Sequence, residues 1–341
     1  MTVNVDTRRL DWVDNARAIG IVFVVMGHHH QHGLYNYIYT FHMPLFFFLS
    51  GMMFKRKADD RFADFAIKRA KTLLFPYFIF SIALYGLWWF LGRFVDPSVL
   101  DGYSLQKNFL GIFYAQGQME YMRWGLEMWF LPCLYLTSIL YYFMAEMSIH
   151  KQFAIVVFCA LTGFTLPQIL SYRLPWSFDV ALVALGFFWL GHILMAYIQK
   201  YTLSWKSFLF LLMLFGVSVM TYRLQTERID MYQAIYGEYL LFYLSAIAGV
   251  LFYILLSKVL PTPALFAFIG ANSLVIYMLH MRALTILNYI FNHFANLRIA
   301  DNTIIGALTL SMLQIMILVP VVLLINRYFL FLLGRRRFAT A

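Results

Sequence analysis

Five residues near the start of the chain could do chemistry together: Asp14, Arg17, His28, His29 and His30. Arg17 and His28 are eleven residues apart. On a continuous helix that is three turns and about 20°, so both would lie on one face, ~16 Å apart along the axis. Asp14 precedes Arg17 by three residues and can pair with it across one turn. One face would then carry an ion pair near one end and an imidazole deeper in. A neutral imidazole is a base near pH 7 and can take the proton of a hydroxyl. A further histidine, His42, follows in the run Thr40-Phe41-His42-Met43-Pro44, and a short turn between the two segments returns it to the depth of His28. The segment 55–71 then carries seven Lys and Arg against three Asp. It reads as a basic loop on anionic lipid or as a phosphate site, and different residues can do each.

The elements that must position these groups are membrane helices. Hydrophobic residues make up 62% of the 341 and charged residues 12%, against about 45–50% and about 25% in soluble domains. Such an excess needs lipid as its solvent. The net charge of +10 does not argue for nucleic acid, because the basic residues sit at the ends of apolar runs, where they orient the chain and meet lipid headgroups. Cys133 and Cys159 lie in apolar runs and have neither disulfide nor metal spacing. No metal site is expected. No small-residue cleavage site follows the first apolar run, so it reads as an uncleaved anchor.

With ~20 apolar residues needed per crossing, ten spans are expected, at 13–31, 37–54, 72–92, 126–145, 153–170, 178–198, 205–222, 236–256, 264–291 and 303–333. The last two are long enough for tilted or broken helices. With the N-terminus inside, 17 Lys and Arg fall on the cytoplasmic side, including Arg335, Arg336 and Arg337, and 7 on the other. This follows the positive-inside rule. The expected architecture is all-α and polytopic, one domain over 1–341 with cytoplasmic tails at 1–12 and 334–341.

Polar and ionisable residues inside apolar runs are functional candidates. Beyond the first cluster these are Glu127 before Trp129, Asp179 after Pro175-Trp176-Ser177, Glu238, His192, Asn272 with Ser273, and His280 with Arg282. A lone one of these is more often structural than catalytic. The histidines His28, His42 and His280 could also be haem ligands, and polar groups at depth also suit a transporter or flippase of lipid-linked sugars.

An ordered set of short motifs runs through the chain: Trp12-Val13-Asp14-Asn15-Ala16-Arg17, Met26-Gly27-His28, FHMPLFFFLSG at 41–51, Lys68-Arg69, Pro76-Tyr77-Phe78, Trp129-Phe130-Leu131-Pro132, Pro175-Trp176-Ser177-Phe178-Asp179, and Gly270-Ala271-Asn272-Ser273 up to His280. Together they resemble the acyltransferase-3 family of membrane acyltransferases, and within it the fucose 4-O-acetylase-like branch. The resemblance implies about ten spans in a bacterial-type inner membrane, acyl-CoA (acetyl-CoA by default) from the cytoplasm, and a sugar of a surface or exported glycan, sometimes lipid-linked, as acceptor. The family's Arg-x10-His pattern falls on Arg17 and His28, which selects His28 over His29 and His30. The family's Arg-x-x-Arg pair has its nearest match in Lys68 and Lys71, with Arg69 between. Lysine lacks the bidentate fork of arginine, which weakens that match. Some relatives carry a further extra-membrane domain, and a chain stopping at Ala341 is expected to act alone or with a separate partner.

The expected catalytic set is therefore His28 as base with Arg17, Asp14 and His42. Lys68, Arg69 and Lys71 are expected to hold the CoA phosphates. Glu127, Asp179 and Trp129 are expected at the acceptor.

Overall fold

The computed structural model describes residues 10–29, 33–56, 61–94, 98, 100–291 and 302–334. His30 and the basic triplet 335–337 lie outside the described residues. Among the described residues the chain is helical, without strands. In order come α1 (Asp11–Met26), α2 (Tyr35–Met52), α3 (Phe62–Phe94), α4 (Leu105–Tyr114), α5 (Met119–Met122), α6 (Phe130–Met144), α7 (Ile149–Ile169), α8 (Phe178–Lys200), α9 (Trp205–Arg223), α10 (Tyr239–Val259), α11 (Ala264–Ala271), α12 (Ser273–Ile290) and α13 (Ile304–Tyr328).

Eight helices among the described residues are long and apolar enough to cross a membrane: α3, α6 with the turn before it, α7, α8, α9, α10, α12 and α13. Only 17% of the α9 span is buried, against 67% for α6, so α9 turns most of its surface to lipid and α6 to protein. The first two expected spans fall outside this set: α1 has only 16 residues, and α2, with 18, carries Asn36, Thr40 and His42 in its first half. Their surroundings explain why. α1 packs against α2, α10, α11, α12 and α13, and α2 packs against α8, α9 and α10 as well. A helix enclosed by protein has no need of an apolar perimeter, and its polar groups escape the cost of contact with hydrocarbon.

The two long runs are broken helices, as their length suggests, and one expectation, a helical His28, changes. The run 264–291 is two helices, parted at Asn272 and braced where Asn326 Nδ2 donates to Asn272 Oδ1 at 2.7 Å. The run 303–333 is α13 followed by a single 3-10 turn at Leu330–Leu333. α1 ends at Met26, so His28 and His29 sit on the turn beyond it rather than on the helix. Gly27 follows at once, and the amides of His28 and His29 close on the carbonyls of Val25 and Met26 at 3.1 Å each. α4 and α5 were not anticipated; Ser104 caps α4 by accepting from the Lys107 amide.

Close helix approach holds the centre together. A Cβ on Gly51 of α2 would stand 1.9 Å from the Phe188 carbonyl oxygen of α8, and one on Gly191 of α8 would stand 2.1 Å from the Phe48 oxygen of α2. Each helix thus offers the other a glycine, the small-residue packing that membrane helices use in place of a hydrophobic driving force. Gly270 does the same for α11 against Asp14 of α1, at 1.9 Å. Gly51→Ala is therefore expected to destabilise the protein by about 1–3 kcal/mol. Gly216→Ala, on α9 with nothing within 4 Å, is the control and should be neutral or mildly stabilising. Thermal midpoints of the detergent-purified variants measure both, and equal midpoints would remove the close-approach argument.

Candidate active site

A cavity of about 240 Å³ lies at the end of the bundle where α1 stops and α2 begins. His28 and His42 line it, from the turn after α1 and from α2. α12 contributes Tyr277 and His280, the turn before α6 contributes Glu127 and Trp129, and the connection after α9 contributes Arg228, Asp230 and Tyr232.

Backbone carbonyls fix the three histidine rings. His28 Nδ1 lies 2.8 Å from the Val24 oxygen, His42 Nδ1 2.8 Å from the Ile38 oxygen, and His280 Nδ1 2.6 Å from the Tyr277 oxygen. A carbonyl oxygen only accepts, so each Nδ1 carries the proton and donates. In the neutral ring the lone pair then resides on Nε2. This is the tautomer a general base at Nε2 requires. The helix is the reason for the geometry: a side chain leans back over the preceding turn, toward carbonyls three and four residues earlier.

The rings also touch one another. His28 meets His280 edge to face with centroids 4.7 Å apart, which leaves no room for a porphyrin between this pair, and His42 meets Tyr39 at 5.0 Å. Tyr39 in turn donates its hydroxyl to the Gly27 carbonyl at 3.1 Å and so ties α2 to the turn that holds His28. His29 points elsewhere. Gln314 donates to the His280 carbonyl at 2.6 Å, so its oxygen faces His29, whose Nε2 donates to it at 3.0 Å. His29 is a buried strut between the turn and α13, which separates it from His28 in role.

Charge in the cavity comes in pairs. Arg228 bonds Asp230 at 2.6 Å and lies over the Tyr39 ring at 4.7 Å. Burial pushes the Asp230 carboxyl up, and Arg228 pulls it back. Glu127 is buried, with Oε1 unpartnered and its backbone oxygen accepting from the Tyr277 hydroxyl. Arg282 acts on it through space.

Of the residues singled out from the sequence, the cavity therefore brings together His28, His42, Glu127, Trp129 and His280. It does not include the rest. Asp14 is buried and pairs with Arg17 at 3.3 Å, as expected from their spacing, but this pair stands lower on α1 and outside the cavity. Lys68, Arg69 and Lys71 belong to the opening turns of α3, toward the end of the bundle where α2 finishes. Lys68 and Lys71 are exposed, while the half-buried Arg69 donates from Nε to Ser138 Oγ at 3.3 Å. Asp179 is also outside the cavity. It is 2% exposed and bound to Arg173 Nε at 2.8 Å, and Arg173 Nη1 donates to the Tyr232 carbonyl at 3.0 Å. Asp179 thus stands behind the wall that Tyr232 forms.

Tyr39, Tyr277, Arg228, Asp230 and Tyr232 escaped the sequence reading. Arg228 and Asp230, opposite charges two residues apart in a connection, left a faint signal. The tyrosines left none among 23 in the chain. Among the described residues no group of three or more His, Cys, Asp or Glu is arranged to hold a metal ion.

No curated protein and no solved structure matches the chain. The family model of the acyltransferase-3 type, described as an acyltransferase domain, matches residues 10–327. That match spans most of the chain, and the protein belongs to this family of membrane acyltransferases.

Proposed function

We propose that the protein transfers an acyl group, acetyl by default, from acyl-CoA to a hydroxyl of a sugar in a surface or exported glycan, as its resemblance to the fucose 4-O-acetylase-like branch implies. The observation that carries the reading is the fixed His28 ring in a cavity walled by Trp129, Tyr277 and paired charges. Apolar faces with a few placed polar groups suit a sugar ring. A cavity of about 240 Å³, below the ~300 Å³ at which pockets for drug-sized ligands begin, suits one sugar and an acyl end rather than a nucleotide.

His28 Nε2 takes the hydroxyl proton as the sugar oxygen attacks the thioester carbonyl. The C–S bond then breaks, and the CoA thiolate leaves with the proton returned from the imidazolium. His42 stands by as a hydrogen-bond partner to the acceptor. Lys68, Arg69 and Lys71 hold the CoA phosphates at the cytoplasmic end, and the donor arm passes the Asp14–Arg17 pair toward His28. By the distribution of Lys and Arg both termini face the cytoplasm, and the family resemblance implies a bacterial-type inner membrane. Mass spectrometry of surface glycans from cells with and without the gene tests the reading, with one acyl mass per repeat as the expected difference. Identical glycans would refute it.

The phosphate site is tested separately. Joint substitution of Lys68, Arg69 and Lys71 by Gln is expected to raise the KM for acyl-CoA at least about tenfold, since each charge-assisted hydrogen bond is worth roughly 1.5–3 kcal/mol. The acceptor KM should not follow. An unchanged acyl-CoA KM would return these residues to a lipid-facing role.

A further inference from the structure

His280 has no part in the transfer as derived, yet it is the most enclosed group at the cavity. It is 0% exposed, and its Nε2 has no hydrogen-bond partner. An unpaired buried acceptor in a membrane interior is costly. The ring is nevertheless held firmly. Nδ1 donates to the Tyr277 carbonyl at 2.6 Å, Gln314 holds the His280 carbonyl at 2.6 Å, and the His28 ring packs against it with centroids 4.7 Å apart. Two imidazoles of the same tautomer thus stand side by side on one cavity wall, each with its lone pair at Nε2. The wall offers acceptors, and Glu127 Oε1 adds another. A ligand completing it must bring donors.

We infer that His280 is a specificity-determining residue that accepts a hydrogen bond from a second hydroxyl of the acceptor, the one vicinal to the hydroxyl that His28 deprotonates. Rings this close match two neighbouring hydroxyls of one sugar ring and do not match a lone alcohol. The substrate class is then a sugar bearing a vicinal diol, with its charge-free face toward α1 and α12. Arg228 is already balanced by Asp230 at 2.6 Å, so the cavity keeps no unbalanced cation there for an acidic sugar. The inference rests on the glycan-acylating function proposed above.

The test uses the full-length protein in cells. Surface glycan is extracted under mildly acidic conditions, which keep the ester from migrating, and the acyl position is mapped by NMR. The expected result is an ester on a carbon whose neighbour carries a free hydroxyl. An ester flanked only by deoxy or substituted carbons overturns the inference. His280→Phe keeps a ring of similar shape and removes the acceptor. It is expected to spread the ester over both hydroxyls, with about a tenfold loss of positional preference, the worth of one buried hydrogen bond. Unchanged position with a lower yield would make His280 a mere support for His28 and also overturns it. If His280→Phe does not reach the membrane, His280→Asn, with a smaller side chain that still accepts, should retain the wild-type position, and a scrambled position there counts against the inference. Absence of any ester in cells carrying the wild-type gene sinks the glycan reading itself, a different failure from a misplaced ester.

Discussion

His28→Ala should lower acyl transfer by about 10²–10⁴-fold, the usual contribution of a positioned general base, with the variant still present in the membrane. Two features support separating chemistry from folding here. The His28 ring is partly exposed and lines the cavity, and it bonds the Val24 carbonyl only four residues back, on the last turn of α1. Its loss should therefore cost little packing. His29→Ala is the contrasting variant. It breaks a buried bond to Gln314 that reaches across 285 residues of chain and is expected to lower thermal stability more than turnover per folded molecule. Initial rates with radiolabelled acyl-CoA, normalised to folded protein, distinguish the two. Near-normal turnover in His28→Ala would remove the base from the mechanism. The reverse pattern, with His29 essential to turnover, would move the chemistry by one residue.

The second large effect is expected from Asp179, and it is structural. Asp179 and Arg173 form a buried pair, with side chains 2% and 10% exposed. Removing the carboxylate leaves a buried guanidinium with one branch, Nη2, already lacking a partner. Breaking such a pair from one side costs about 3–5 kcal/mol, whereas replacing both members by apolar groups of similar volume is often neutral. Asp179→Leu should thus deplete folded protein from the membrane, and Asp179→Leu with Arg173→Met should restore much of it. The same pair also steadies the cavity wall, because Arg173 holds the Tyr232 carbonyl. Fluorescence-detected gel filtration reads the yield and midpoint of each variant. If Asp179→Leu is as stable as wild type yet fails to bind acceptor, Asp179 acts at the site directly and the wall argument fails.

These two residues show how far a linear reading reaches. Both were marked as ionisable groups in apolar runs, a signal that depends only on what hydrocarbon tolerates. That signal cannot distinguish a group facing a cavity from one facing an ion-pair partner. His28 faces the cavity and Asp179 faces Arg173, and only the packing of the turn before α8 on the 228–232 connection makes the difference. Likewise Arg17 and His28 share a face on an ideal helix. The helix ends at Met26, and the His28 ring is instead aimed by its bond to Val24.

The chain's composition and hydrophobic runs by themselves determined that it is all-helical and needs lipid, because a helix satisfies its own backbone locally and a run of ~20 apolar residues has no other stable solvent. They also determined the Asp14–Arg17 pair, since residues three apart on a helix are neighbours wherever the helix lies. Tertiary structure alone decided that residues near 28, 42, 127, 228 and 280 share one cavity. Helix–helix contacts are set by which small residues let backbones meet, as Gly51, Gly191 and Gly270 do here. Such a match involves two distant segments at once and leaves no trace in the period of either one.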